Sequence, residues 1–200
     1  MSTPQLTIPI FPLNMVLLPG ESATLHIFEE RYKQLVSDCL INDAHFGIPF
    51  VYKKAIQDVG IEVKINNVIK KYENGEMDIT IEGVRVFHLI EYSEILHPKL
   101  YGAGVIVYEE FLKDLPSNFL KLLVKEFLWV SQQKEISSDI FEKVSIYGIA
   151  RLLDLSPLEK YELLKAKNVL NKESLLKPKI KLFIHLIKLE NELKSRFLLN

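Results

Sequence analysis

The chain of 200 residues is poor in several features that would direct it to a particular class of protein. It has one cysteine, Cys39, so no disulfide can form within the chain, and a reducing cytoplasm is the compartment that fits. No lysine or arginine precedes Arg31, which removes the basic start that a secretory signal needs. A spanning helix needs roughly 20 uninterrupted apolar residues. The most apolar stretch, "IPIFPLNMVLLPGESATLHIFEERY" from Ile8 to Tyr32, is cut by Pro9, Pro12, Pro19 and Gly20. None of the eight glycines precedes a lysine, so a phosphate-cradling Gly-x-x-x-x-Gly-Lys-Ser/Thr loop is absent, and there is no Gly-x-Ser-x-Gly elbow. Five dispersed histidines, without His-Glu-x-x-His spacing and without a second cysteine, offer no metal site, and no cofactor is expected.

What is present is a folding chain, 48% apolar and 26% charged, with enough apolar residues for a real core. The net charge of -1 conceals an imbalance. Residues 1–112 carry 9 basic and 15 acidic side chains, whereas residues 113–200 carry 16 and 11. The hydrophobic period changes at the same place. The first part reads as strands, with alternation at Ile61, Val63, Ile65 and at Met77, Ile79, Ile81, and with Asn74-Gly75 as a hairpin turn whose two central residues take positive φ. One helix interrupts it, placing Tyr32, Leu35, Val36, Cys39 and Leu40 on one stripe and ending at Asn42 and Asp43.

From Ser117 onward the period is helical. Leu120, Leu123, Val124, Phe127 and Leu128 form one stripe, and Phe141, Val144, Ile149, Leu152 and Leu153 a second, weakened by Ser145 and Gly148. "LSPLEKYELL" opens a third helix with Ser156 as N-cap, Pro157 first in the helix and Glu159 three residues after the cap. In the last helix Ile180, Phe183, Leu186, Ile187, Leu189, Leu193 and Phe197 give one broad apolar stripe, with Pro178 in its first turn or at a kink. The expectation is an α+β chain: a β module over residues 1–112 with one inserted helix, then a helical module over residues 113–200.

The ordered set Pro9, Phe11, Pro12, Leu13, Pro19, Gly20, Phe28, Glu29, Arg31, Tyr32, followed by "FGI" at Phe46–Ile48, "GVRVF" at Gly83–Phe87 and "LLDLSPLEKYELL", resembles the N-terminal substrate-binding domain of Lon proteases, particularly its free-standing bacterial members. Val86 and Tyr161 depart from the family pattern, in which an Arg-Phe pair and a glutamine are more usual. The resemblance implies a six-stranded PUA-like β pseudo-barrel with a C-terminal helical bundle. In such a fold the prolines keep the opening stretch extended and its apolar residues become barrel lining. It also implies a module without the ATPase and Ser-Lys peptidase parts of a Lon protease, hence no enzyme.

The residues expected to meet a bound peptide are Glu29, Arg31, Tyr32, Phe50, Tyr52, Tyr92 and Tyr101, which stand near strand or helix ends where an amphipathic ring stays partly exposed. Glu29 and Glu30 point about 100° apart on a helix and do not form a catalytic carboxylate pair. Their plainer role is to complement the helix dipole, and that of Arg31 is an ion pair. Unfolded or apolar polypeptide segments are the expected partners, through apolar surface or a free strand edge, with a separate ATPase or protease as a further partner and a homodimer through the last helix compatible with its stripe. The alternative is RNA or an acidic partner on the nine basic residues between Lys165 and Arg196, against which stand the absence of an aromatic RNA signature and the acidic β half.

Overall fold

The computed structural model describes residues 4–109, 115–131 and 144–198, with side chains of the last helix described to residue 194. The chain divides into two compact units, one made of Met1–Glu110 with Leu155–Lys165, the other of Phe111–Asp154 with Ala166–Asn200. The "LSPLEKYELL" helix therefore belongs with the β unit. Leu112, Lys113, Asp114 and Phe141 lie outside the described residues, as do the side chains of Arg196 and Phe197.

The first unit contains strands β1 (Leu6–Ile10), β2 (Ser22–Ile27), β3 (Phe46–Tyr52), β4 (Ala55–Lys71), β5 (Met77–Ser93) and β6 (Gly102–Tyr108), helix α1 (Glu30–Asn42) between β2 and β3, and a later helix over Pro157–Lys165. The strand order is β2-β5-β4-β3-β1-β6, and β6 pairs back onto β5. Five strands thus close into a ring and, among the described residues, β2 has a strand neighbour on one side only, which is the six-stranded pseudo-barrel of an α+β fold.

The proline-cut opening stretch does what its punctuation demands. Pro9 lies inside β1 opposite Ala103, and the chain continues extended along β3, with the Phe11 amide donating to Gly47 at 2.8 Å and the Val51 amide to Leu13 at 2.8 Å. Leu18-Pro19-Gly20-Glu21 is then a tight turn, closed by the Glu21 amide on the Leu18 carbonyl at 2.9 Å, with Gly20 at φ 73° where a side chain would be strained. Ile8 and Ile10 pack with Phe87, Leu89 and Ile106. Phe11 instead stacks on Tyr32 of α1, with ring centroids 3.6 Å apart. The run is core, shared between the ring and the helix beside it.

Two turns differ from expectation. At Asn74-Gly75 only Gly75 has positive φ, 79°, and the Tyr72 amide meets the Glu76 carbonyl at 2.8 Å, so the hairpin has a three-residue loop ending in a left-handed glycine. The turn in which both central residues take positive φ is Lys53-Lys54, at 49° and 66°, joining Tyr52 to Ala55. Nothing in the sequence marks it, because lysine is poorly suited to that conformation. Replacing Lys53-Lys54 by Asn-Gly is expected to raise stability by about 1–2 kcal/mol, read as a higher urea midpoint with unchanged slope; a lower midpoint would show that the lysines themselves stabilise the tip.

The second unit contains α2 (Asn118–Val130), α3 (Ile146–Ala150) and α5 (Val169–Leu198), the Pro157–Lys165 helix being α4. Leu120, Leu123, Val124, Phe127 and Leu128 of α2 are all buried, as their spacing requires. α3 is shorter than its stripe suggests. Ser145 does not weaken its middle but starts it, the Gly148 amide donating to Ser145 Oγ at 3.1 Å. α4 has the expected reciprocal cap, the Ser156 amide donating to Glu159 Oε2 at 2.7 Å and the Glu159 amide to Ser156 Oγ at 3.4 Å.

α5 starts at Val169, where Asn168 Oδ1 accepts the Asn171 amide at 2.9 Å, so Pro178 is interior to the helix and not in its first turn. Its broad stripe resolves into two faces. Leu176, Ile180 and Ile184 are buried, with Phe183 against Phe127 of α2 at 6.3 Å, whereas Leu186, Leu189 and Leu193 are exposed.

Candidate functional site

Every strand reading begins from alternation, and in the β unit alternation misleads at one position. Glu62 alternates with Ile61 and Val63 and should face water, yet it is buried, with Tyr108, His45 and Arg85 gathered around it. Its carboxylate meets Tyr108 Oη at 2.8 Å, His45 Nδ1 at 3.2 Å and Arg85 Nε at 3.5 Å. The Arg85 guanidinium lies 3.3 Å from the centre of the Tyr108 ring. Burial and the bond to Glu62 push the Tyr108 phenol up to about 12. Both hydrogen bonds fall on Glu62 Oε1, while the buried Oε2 has none and faces Arg85 as an ion pair only. A second group, on the outer surface, brings His26 Nδ1 to Asp78 at 2.7 Å and its Nε2 to Glu76 at 3.3 Å, and the bond to Asp78 raises the imidazole above its ordinary value. The Cys39 thiol is buried, and that burial pushes it up to about 11, which makes it a packing residue and a poor nucleophile at neutral pH.

The seven residues expected to meet a ligand fall in three places. At the start of α1, Glu29 is the N-cap and binds Arg31, whose NH2 group lies 2.8 Å from Glu29 Oε2. The Arg31 guanidinium sits 4.6 Å from the Tyr32 ring centre. Arg31 and Glu29 are accessible, whereas Tyr32 is buried under Phe11. In the same place Tyr92, half-buried on β5 and near enough to Arg31 to feel its charge, packs against Ile10, Phe87 and Ile106. At the far end of β3, Phe50 is buried between Tyr52 and Tyr161, at 5.8 and 5.4 Å, and only Tyr52 of the three reaches solvent. Tyr161, the departure from the family pattern, donates to Asp58 at 2.8 Å and with the Lys160–Glu21 ion pair fastens α4 to the β unit.

The third place is the most informative. Tyr101 is buried, and its hydroxyl donates to Asp38 of α1 at 2.8 Å, beside Lys99 Nζ at 2.7 Å. The Leu100 amide donates to Gln34 of the same helix at 2.7 Å. Lys99, then Tyr101, hold the Asp38 carboxyl below the usual carboxylate range. The connection between β5 and β6, residues 94–101, is thereby clipped to α1 at three points while it presents Ile95, Leu96 and Leu100 outward, 51%, 39% and 55% exposed. Ile90 is also exposed; it occupies the irregularity between Leu89 and Glu91 where the β5–β6 register shifts, and that extra residue turns its side chain out. Gln34, Asp38 and Ile41 share one face of α1 by their spacing, and Ile41 is almost fully exposed.

Sequence reasoning missed these aliphatic residues because it looked for aromatic rings. The available signal was "EILHPKL", three large aliphatics around a proline in a connection that turn chemistry would have made polar. Exposed apolar side chains on an anchored segment are suited to catching the apolar side chains of another chain and perform no covalent chemistry. Among the described residues no group of three or more metal-ligating side chains converges, and no helix is long and apolar enough to cross a membrane.

The chain matches the family described as the ATP-dependent protease La (LON) substrate-binding domain over residues 7–176. A Lon N-terminal domain protein from Xanthomonas campestris is 24% identical, with a TM-score of 0.69 over 86% of this chain and 98% of that one. The N-terminal domain of the Mycobacterium avium complex Lon protease is 13% identical, with a TM-score of 0.62 over 91% of this chain and 98% of that one. These likenesses establish the fold. None of the curated proteins matches the chain.

Proposed function

We propose that this chain, which belongs to the LON substrate-binding domain family, is a non-catalytic module that holds exposed apolar segments of other polypeptides on the residue 94–101 connection and the adjoining face of α1. The observation that carries the reading is the combination of anchoring to α1 and apolarity there. Three clips to α1 hold in place a segment whose three large aliphatic side chains face water. Arg31 and Glu29 provide accessible charge at the other end of the same helix. β2, paired on one side only among the described residues, supplies a strand edge of the kind that extended peptides extend by main-chain hydrogen bonds.

Magnitudes place the binding in the weak, transient range. Covering the exposed halves of Ile95, Leu96 and Leu100 contributes on the order of 1 kcal/mol each, against association costs of about 4 kcal/mol or more. Further contacts at Ile90, Ile41 or the strand edge are therefore needed, and an affinity no tighter than micromolar, about 8 kcal/mol net, is the natural outcome. Release of a held segment to a separate ATPase or protease suits such an affinity.

The basic residues of the second unit give less support to RNA. Lys172 is buried with its Nζ 4.7 Å from the Tyr147 ring, and Lys177, Lys188 and Lys194 are paired with Glu173, Glu126 and Glu190. The test is fluorescence anisotropy with labelled, unfolded apolar peptides: saturable binding in the micromolar range is expected, unaffected by ATP and without cleavage of the peptide. Silence up to high micromolar concentrations would reject the binding role, and cleavage by pure protein would reject the non-catalytic one.

A further inference from the structure

The surface proposed to hold other polypeptides is apolar at its centre and acidic at its rim. Ile90, Ile95, Leu96, Leu100 and Ile41 are exposed there. In the two stretches that carry them, residues 90–101 and 34–43, Lys99 is the only lysine or arginine, and its ammonium is already bonded to Asp38 at 2.7 Å. Arg31, one turn earlier on α1, is likewise bonded to Glu29 at 2.8 Å. Three carboxylates are left over. Glu91 follows Ile90, Glu94 precedes Ile95, and Asp43 lies two residues past Ile41; all three are exposed, and none has an ion pair among the described residues. Residues 1–3 and 110 of this unit, outside the described ones, join the chain beyond Leu6 and beyond Tyr108, whereas the connection enters β6 at Gly102, opposite Ile10 and at the other end of both strands.

We infer that the segments held here are basic as well as apolar, with lysine or arginine next to their apolar residues, and that Glu91, Glu94 and Asp43 select them. The inference rests on the reading of this surface as the peptide-binding one and names the class of segment it takes. A lysine or arginine side chain has an aliphatic stem behind its charged head, so the stem can lie over Ile90, Ile95 or Ile41 while the head reaches the carboxylate beside it. An acidic segment meets the same aliphatic residues but sets its carboxylates against three others, with Lys99 already bonded to Asp38. Each exposed pair contributes little by itself. The selection comes from several acting together and from attraction at a distance, which the excess of 15 acidic over 9 basic side chains in residues 1–112 reinforces. The aliphatic contact supplies the hold, and the rim supplies the choice.

Two labelled, unfolded peptides that share one apolar sequence and differ only in carrying lysine or glutamate between the apolar residues test it on the full chain. By fluorescence anisotropy the lysine peptide should bind at least about tenfold tighter at low salt. The ratio should shrink to about twofold in about 1 M salt, where the Debye length is roughly 3 Å. Glu91→Gln with Glu94→Gln should cut the low-salt ratio to about threefold. Glu73→Gln with Glu162→Gln, which removes two exposed charges elsewhere on the unit, should keep it. Far-UV circular dichroism checks that both variants keep the fold. Equal affinity for the two peptides, or tighter binding of the glutamate one, overturns the selection and leaves the apolar contact standing. A ratio that survives the rim variant, or falls as far in the control, overturns the assignment to these carboxylates. Binding of neither peptide overturns the selection and the peptide-binding reading together.

Discussion

Glu173→Ala is expected to destabilise the helical unit by about 3–5 kcal/mol, the range found when one partner of a buried ion pair is removed. Glu173 is 0% exposed. Its carboxylate accepts the Ser117 amide at 2.5 Å, the Ser117 hydroxyl at 2.9 Å and the Lys177 ammonium at 2.6 Å. Ser117 is the N-cap of α2, with its own Oγ accepting the Leu120 amide at 3.2 Å, so one side chain of α5 locks the first turn of the helix packed against it. Alanine leaves an amide, a hydroxyl and an ammonium without that acceptor. Glu173→Gln keeps the shape and one acceptor, and should cost about half as much.

The pH dependence separates charge from shape. Burial would raise the Glu173 carboxyl, but the bonds from Lys177 and Ser117 outweigh it and the folded value lies below the ordinary 4.5. A carboxyl lowered on folding contributes stability that is present above its unfolded value and lost as pH falls through its folded one. Wild type should therefore lose stability below about pH 4.5 more steeply than Glu173→Gln. Urea midpoints followed by circular dichroism at neutral and acid pH measure both effects. Equal acid sensitivity of the two proteins would show that Glu173 is not the responsible group.

Peptide affinity should fall at least about tenfold in Leu96→Asp with Leu100→Asp, equivalent to 1.4 kcal/mol or more. The loss has two sources: aliphatic area no longer available for cover, and two carboxylates that must be desolvated against an apolar ligand. Thermal stability should be nearly unchanged, because the side chains face water while the clips run through Lys99, Tyr101 and the Leu100 amide. Leu158→Asp, an exposed leucine in the first turn of α4, serves as control and should bind as wild type. Equal losses in both variants would mean general charge repulsion, and no loss in either would move the contact surface elsewhere.

How much of this was legible beforehand depends on whether the deciding force is local. The prolines of the opening stretch, the Pro19-Gly20 turn, the Ser156–Glu159 cap and the stripe of α2 are all encoded within a few residues, and each was readable as written; the stripe of α1 holds for Tyr32, Leu35, Val36 and Cys39, whereas Leu40 is exposed. Arg31 with Glu29 was also readable, two positions apart. The seven-residue candidate set was scattered by folding, because proximity to a strand or helix end does not tell which way a ring turns. Tyr32, Phe50 and Tyr101 went inward, while aliphatic residues of an unremarkable connection were left outside.

Local pattern by itself therefore determined the kinds of element, the place where strands give way to helices, and the family. Tertiary structure alone decided that Glu62 would be buried on the supposedly wet face of β4, that Lys172 and Glu173 would enter a core, and that α4 would join the β unit. It also split one leucine-rich stripe of α5 into a packed face and an open one. The reason is physical: hydrogen-bond caps and helical or strand periodicity act over distances the chain spans in a turn or two, whereas burial is settled by which distant surfaces come to cover a residue.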